Sequence, residues 1–507
     1  MSLRFASRHL TLRVRHPITT SRPWRPIRRT MATSNNNKYD VVIIGGGVSG
    51  TALACSLAAN PALQDYRVAL VEAMDLSNTR NWTPSPDAYS NRVVSLTPAS
   101  MRFLEKIGVA EHLDTNRVHP YREMHVWDGV TDARIDFDTR LLHGITADKD
   151  AIATMVENTH LQHAMLKRLT HSNVDIFEKA RVASIQKGVW PTVQLENGEE
   201  LEARLLVGAD GINSPVRQFA NIQSLGWDYD MQGVVATFEI ASRPNDASYQ
   251  RFLPSGPIAM LPLGDRFASI VWSIPPSKAA LLKKMPAQDF CTLVNSAFRL
   301  DLPDLNYLFS QIDPATGETR CDFGAEYTWR QDVAQHGLTH RERDAHEARF
   351  PPFLEAVDAN SRASFPLRMR NSQHYYDDRV VLVGDAAHTV HPLAGQGLNQ
   401  GLLDVECLSN LIGRGAGEGQ DIGNVHLLRE YASARYVRNI AMLSACDKLH
   451  KLYSTDFAPI TWVRSLGLSA VNQLDFVKAE IMKYAMGIEY TDSTDVATLH
   501  NDATATV

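Results

Sequence analysis

The 507-residue chain is poor in cysteine and holds no C-x-x-C pair. Its five cysteines (Cys55, Cys291, Cys321, Cys407, Cys446) are scattered. That pattern offers no zinc or iron–sulfur ligand set, disfavours disulfide exchange and fits a reducing compartment. No metal is expected. Long apolar runs are scarce too. Residues 41–59 form nineteen uncharged positions, long enough for a membrane span, but Gly45, Gly46, Gly47 and Gly50 make a poor helix centre. No internal repeat is present. Acids are missing altogether from 1–38, where eight arginines and Lys38 stand among Ser and Thr. This is the composition of a mitochondrial transit peptide; a disordered basic arm for nucleic acid or lipid is the other reading. No apolar segment follows the basic residues, which disfavours a secretory signal. Without those nine cations the formal charge moves from −6 to −15. An acidic body argues against a nucleic-acid partner.

What is present begins at Asp40. Val41 to Ile44 read as a buried parallel strand, and Thr51 to Ala59 as the helix after it. Gly45, Gly47 and Gly50 hold the G-x-G-x-x-G positions, with Val48 and Ser49 inside the motif. Gly45 permits the tight turn, Gly47 lets backbone approach a pyrophosphate, and Gly50 lets helix and strand pack closely. The helix start offers free N–H groups and partial positive charge to phosphates. Arg67 to Glu72 reads as the second strand, and Glu72 ends it where an acid meets a ribose hydroxyl.

Along the chain, 75–90 reads as a polar loop, 98–108 and 154–170 as helices, and 193–207 as a hairpin turning at Asn197-Gly198. Strands dominate from Gln232 to Ile274. A helical, loop-rich stretch runs from Ser277 to Val357, Val380 to Gly384 returns to a buried strand, and Gln400 to Ile412 is helical. Helices fill 425–486. The expected class is α/β: a Rossmann-like nucleotide-binding domain in two parts, 39–230 and 376–425, interrupted by a β-rich substrate domain, 231–375. A helical C-terminal region (α+β), 426–490, and a disordered tail, 491–507, follow the disordered leader, 1–38.

Two further motifs carry chemistry. Leu205-Leu-Val-Gly-Ala-Asp-Gly-Ile-Asn-Ser-Pro-Val-Arg217 places Asp210 after a strand. Val380-Val-Leu-Val-Gly-Asp-Ala-Ala-His-Thr-Val-His-Pro-Leu-Ala-Gly-Gln-Gly-Leu-Asn399 places Asp385 after another, before a glycine-rich turn into a helix. An acid at the carboxyl end of a parallel strand stands where open α/β sheets bind ligands. Gly395 and Gly397 let N–H groups crowd a flat ring. His388 and His391 read either as bases or as packing and hydrogen-bonding groups of a tight turn.

With these three motifs in this order, the chain resembles the FAD-dependent aromatic monooxygenases of the para-hydroxybenzoate hydroxylase type. Within them it is similar to the ubiquinone-biosynthesis hydroxylases, most closely the mitochondrial members. The resemblance spans Tyr39 to Gly487. Ser90 to Pro98, Gln250 to Leu263, Ser364 to Leu367 and His388 to Asn399 carry it most specifically. It implies an FAD cofactor, with Gly45, Gly47 and Gly50 at the pyrophosphate and Glu72 at the adenosine ribose. Arg92 would lie near the flavin or its phosphates, or stand as a surface ion pair. Gln162 would face the ribityl chain, or sit on a solvated helix face. Asp210 belongs to the motif linked to FAD and nicotinamide contacts, and Asp385 would bind ribityl or phosphate. Pro392, Gly395, Gly397, Leu398 and Asn399 would line the isoalloxazine.

The implied reaction is ring hydroxylation of a polyprenylated hydroxybenzoate or phenol in ubiquinone biosynthesis, through a flavin C4a-hydroperoxide formed with O2. The residue that takes the phenolic proton is not identified. Only one G-x-G-x-x-G is present, so no second Rossmann site serves NAD(P)H. The resemblance points to a ferredoxin-type donor with its reductase, NAD(P)H being the alternative. It also implies a ubiquinone-biosynthesis enzyme complex at the matrix side of the mitochondrial inner membrane. The stretches 449–453, 460–468 and 474–486 carry apolar residues at helical spacing with Lys451, Arg464, Lys478 and Lys483 between them. They read as a face that lies on a bilayer or that caps the core. Two rival functions share the first motif: another FAD oxidoreductase acting on prenyl lipids, and a non-catalytic prenyl-binding carrier.

Overall fold

The computed structural model describes residues 37–85, 88–142, 151–241, 245–391 and 395–487. The leader up to residue 36 and the tail lie outside them, as does Pro392. Lys38, counted with the leader on composition, is the first residue of β1 (Lys38–Ile44) and pairs with Glu202. The glycine turn follows, then α1 (Val48–Ala59) and β2 (Val68–Val71). The loop after β2 contains one helical turn, Ser77–Arg80. Next come β3 (Val93–Leu96) and α2 (Pro98–Lys106), β4 (Ala153–Glu157) and α3 (Asn158–Leu169).

The helix expected over 154–170 is therefore only partly right. Its first four residues are strand, because Val156 and Thr154 pair with Val94 and Leu96 of β3. β-branched residues with a partner strand prefer the pleat to the helix, and pairing is invisible to local periodicity.

β5 (Val174–Phe177) precedes the hairpin of β6 (Thr192–Leu195) and β7 (Glu200–Gly208). Among the described residues the first sheet runs in the order Tyr376–Asp377, β10 (Val380–Leu382), β7, β1, β2, β5. β10, β7, β1, β2 and β5 are mutually parallel. Their Val, Ile and Leu side chains are buried on both faces, as a parallel sheet between helices requires.

The second sheet is built around the long strand β8 (Ser224–Ile240), paired antiparallel with β9 (Ala363–Ser372) and with Phe267–Ile274. It also takes Glu123–Asp128 and Arg134–Asp138, so part of 39–230 contributes strands to the β-rich sheet. Its core packs against the helices of 276–310. α4 (Gln396–Gly417), α5 (Val425–Tyr453), α6 (Ala458–Asn472) and α7 (Asp475–Met486) close the chain. α4 starts four residues earlier than its apolar pattern suggests. No helix among the described residues is long and apolar enough to cross a membrane.

Candidate functional site

Register assembles the site. Ile44 pairs with Gly208, and Gly208 with Leu382, so β1, β7 and β10 end side by side. At about 4.8 Å per strand, three turns emerge along a front roughly 10 Å wide. Those turns carry Gly45–Gly50, Asp210 and Asp385.

Gly45 has φ +106, and a Cβ there would lie 2.3 Å from the Ala209 carbonyl oxygen. No other residue fits where β1 meets the end of β7. A Cβ on Gly50 would lie 1.8 Å from the Gly45 oxygen, so α1 rests directly on the turn. Gly47 is the opposite case: nothing stands within 4 Å of its Cβ position, and it is exposed. It begins α1 without a side-chain cap and without an acid in the first turn. The free N–H groups beside the half-exposed Val48 and Ser49 therefore face an open cradle suited to an anion. The Ser49 hydroxyl packs against the α-carbons of Gly384 and Gly401, where added Cβ atoms would lie 2.7 and 2.8 Å from it.

Glu72 accepts the Gly46 N–H at 2.6 Å with one oxygen and the Met74 N–H at 2.7 Å with the other. It braces the glycine turn from the position directly after β2. Gln162, on α3, donates to the Gly46 carbonyl at 2.5 Å, so it meets the turn rather than a solvated face.

Asp210 accepts the Val216 N–H at 3.1 Å through Oδ2. Its Oδ1 is buried and makes no hydrogen bond of good geometry among the described residues, although the Ser214 hydroxyl lies near. Burial pushes its carboxyl up. Asp385 is reached by solvent, yet protein surrounds it closely enough that desolvation pushes its carboxyl up against the pull of His388. With Gly47 and Asp385 both exposed, the strand-end turns are open to solvent.

α4 starts at Gly395, in the left-handed region at φ +61, again with no side-chain cap. Gly397 approaches Val390, and Leu398 packs half-buried on the first core. Asn399 departs from expectation. It is 1% exposed; its oxygen accepts from Thr97 N–H and the Ser100 hydroxyl, and its amide donates to the Ser95 and Gly395 carbonyls. This saturated amide holds the β3–α2 turn onto α4. Arg92 is exposed and carries no side-chain ion pair among the described residues; its carbonyl accepts the Asn158 N–H.

Sequence reasoning missed the group behind this wall. Asp404 is fully buried and accepts from His388 Nε2 at 2.6 Å, Arg435 Nε at 2.8 Å, Asn439 Nδ2 at 3.0 Å and the Gly384 N–H at 3.1 Å. Arg435 also donates to Gln400 and Asn439. The Arg435 guanidinium and the hydrogen bond with His388 hold Asp404 well below the usual carboxylate range despite its burial. The signal was there: an acid inside the apolar run Leu402-Leu-Asp-Val405. It assigns His388 to holding the Asp385 turn.

An uncapped helix start, a buried lone oxygen on Asp210 and a cleft acid on neighbouring strand ends fit a dinucleotide. The sequence pattern of the family described as "FAD binding domain" matches residues 38–300 and 314–443. A ubiquinone biosynthesis monooxygenase from Xenopus tropicalis is 38% identical over 473 residues, 90% of this chain and 95% of the relative.

The chain belongs to the ubiquinone biosynthesis monooxygenases of the FAD-binding family.

The Saccharomyces cerevisiae relative of this family is 36% identical over 478 residues, 91% of this chain and 97% of its own. Two solved structures share the fold. The p-nitrophenol 4-monooxygenase PnpA of Pseudomonas putida aligns at TM-score 0.62 and 16% identity over 89% of this chain and 99% of its own. The probable FAD-dependent monooxygenase PqsL of Pseudomonas aeruginosa aligns at 0.59 and 22%, over 84% and 100%. The family's cofactor is FAD, and the cradle described above fits it.

Proposed function

We propose that this chain hydroxylates the aromatic ring of a polyprenylated hydroxybenzoate or phenol on the route to ubiquinone, with O2 as oxygen source. The observation that carries the reading is the three-turn cleft: uncapped glycine turn, Asp210 and Asp385 on adjacent parallel strand ends, in a chain matching ubiquinone biosynthesis monooxygenases along nearly its whole length. FAD, when bound, supplies electron storage and O2 activation. The protein supplies the rest. Gly45 to Gly50 and the start of α1 hold the pyrophosphate, and Glu72 reaches the ribose. Asp210 and Asp385 hold the ribityl–phosphate part, and Arg92 stands free for it or the phosphates. The uncapped start of α4 at Gly395 would offer positive potential to the flavin ring, which supplies the redox chemistry. The His388–Asp404–Arg435 group fixes the turn that carries Asp385, and the two cores keep water away.

The prenyl tail sets where this happens. At about 0.8 kcal/mol per CH2-equivalent, each five-carbon unit carries on the order of 4 kcal/mol of transfer energy. Such a tail enters from a membrane surface. The bilayer face lies on α6 and α7, where Phe457, Trp462, Val463, Leu466 and Phe476 are more than half exposed. Two cations assigned to that face from sequence belong elsewhere. Arg464 is buried and forked onto Asp128, and Lys478 is buried beside Asp475. The face is thus more apolar than the sequence suggested, and the protein sits peripherally on the matrix side of the inner membrane with its enzyme partners. Electrons arrive from a ferredoxin and its reductase; fast bleaching of the flavin by NADPH alone would instead assign that role to NADPH. The activity is tested by mass spectrometry of quinone intermediates in a deletion strain. The wild-type gene restores the hydroxylated product, and an Asp385→Ala copy leaves its precursor to accumulate.

A further inference from the structure

α7 belongs to two surfaces at once. Outward, Phe476, Ile481 and Tyr484 are 69, 44 and 38% exposed. Inward, Met482 and Met486 are buried against Leu142, with Ile152 packed beside them. Gln396, the residue after Gly395 and the first of α4, donates to the Ala485 carbonyl near the end of α7 at 3.5 Å. The helix thus reaches from the lipid-facing surface to the turn that serves the flavin ring.

Ile152 continues the contact inward. Its N–H donates to the Tyr121 carbonyl at 2.9 Å, and its half-buried side chain also packs on the cluster of Tyr121, Met155 and Phe267, as does Leu261. The two clusters share Ile152, so apolar packing runs without a break from α7 to the second sheet. The Tyr121 hydroxyl meets Ser95 Oγ at 2.9 Å, and a Cβ on Gly395 would lie 3.6 Å from that of Ser95. That joins the same packing to the Gly395 turn. Ala259, Leu261 and Val271 are only half-buried, although they stand on inner strands of the second sheet. Their neighbours Met260 and Ile270 point the other way, into its core. Interior apolar surface that protein covers only in part is the usual lining of a small-molecule site.

What holds α7 in place is soft. Its ion pairs, Lys478–Asp475 and Lys483–Glu480, lie within the helix itself. Its deepest apolar side chains are methionines, flexible thioethers that re-pack around a changed neighbour. A twelve-residue helix seated in this way belongs to the low-stability end of a fold.

We propose that the apolar seam beneath α7 is the seat of the substrate's prenyl tail, and that α7 is the gate through which the tail enters from the bilayer. This rests on the prenyl-phenol reading above. The ring lies at the Gly395 turn, the first prenyl units pass Leu261 and Ile152, and the tail leaves between Leu142 and the two methionines toward the acyl chains. Met482 and Met486 give way to the tail and close on it. Every unit stays in apolar surroundings along this route, so the tail is never returned to water. A ring without a tail gains nothing from opening the gate.

The test uses oxidised, FAD-loaded protein and 3-geranyl-4-hydroxybenzoate bearing a diazirine at the far end of its tail. Equilibrium dialysis reads binding, and photolysis with peptide mass spectrometry locates the tail. The label falls on residues 475–486, 137–142 or 151–153, and excess 3-geranyl-4-hydroxybenzoate suppresses it at least tenfold. Met482→Trp fills the seam and weakens binding of the geranyl probe at least tenfold. Hydrogen exchange tests the gate: the geranyl probe changes amide exchange across 475–486 at least threefold, and 4-hydroxybenzoate leaves it as in the free protein. Competed label confined to other elements, or a Met482→Trp protein that binds the probe as wild type does, overturns the seat and leaves the phenol reading standing. Label in the seam with unchanged exchange overturns the gate alone. A wild type that leaves the probe unbound overturns the phenol reading and the seat with it. Should Met482→Trp fail to fold, the label on wild type decides.

Discussion

Two stretches of the cleft wall are built on opposite terms. Behind the Asp385 turn, Asp404 accepts from His388, Arg435 and Asn439, and Arg435 also donates to Gln400 and Asn439, with His388 Nδ1 left without a partner among the described residues. In front of it, Gly47 faces empty space and Asp210 Oδ1 lacks a good partner among the described residues. The difference is one of polar saturation: the groups around Asp404 set positions by bonding one another. His388 has one ring nitrogen held by Asp404 and one unpartnered, whereas both ring nitrogens of His391 are unpartnered among the described residues.

The contrast breaks most readily at Asp404. Replacing it with Ala removes a buried carboxylate that accepts from His388, Arg435, Asn439 and the Gly384 N–H, and should cost about 3–5 kcal/mol in urea unfolding. A loss below about 1 kcal/mol would remove it from the frame. Gly50→Ala comes next, since its Cβ would meet the Gly45 carbonyl oxygen at 1.8 Å. Overpacking against backbone should cost about 1–3 kcal/mol and empty the flavin site together.

The open side should respond to pH rather than to truncation. His391 has a folded value of about 3 against an ordinary 6.5. Between those values the unfolded chain holds a proton the folded chain lacks, so stability falls as pH drops through 6.5 toward 3. His391→Gln should flatten that fall by one proton, about 1.4 kcal/mol per pH unit, in denaturation at pH 5 and pH 7. The smallest stability effect belongs to Gly47→Ala. With no neighbour near its Cβ and an ordinary φ of −67, the apo-protein should change by less than about 0.5 kcal/mol while retained flavin falls. Equal loss of stability in Gly47→Ala and Gly50→Ala would dissolve the distinction.

How much was legible follows the same division. The glycine turn could be read because backbone sterics leave no other residue for Gly45 or Gly50. Asp210 and Asp385 could be read because each follows an apolar strand end, Leu205-Leu-Val207 and Val380-Val-Leu-Val383, and the register of β1, β7 and β10 then aligns them. Long-range pairing was hidden. β4 reads as helix until β3 claims it, and Glu123–Asp138 joins the second sheet across more than a hundred residues. Asn399 sits within a cofactor motif, yet its partners Ser95, Thr97 and Ser100 come from a turn three hundred residues away. Arg464 looked like a membrane-facing cation because its partner Asp128 belongs to another element.

The central claim is that FAD lies across the three strand-end turns and serves ring hydroxylation of a prenylated phenol. Its most direct test is turnover of 3-geranyl-4-hydroxybenzoate under ¹⁸O2 with ferredoxin and its reductase, read by mass spectrometry. The account expects one ¹⁸O atom on the ring with the wild-type protein and none with Asp385→Ala. Flavin-loaded wild type that consumes O2 and leaves the ring unlabelled would contradict it.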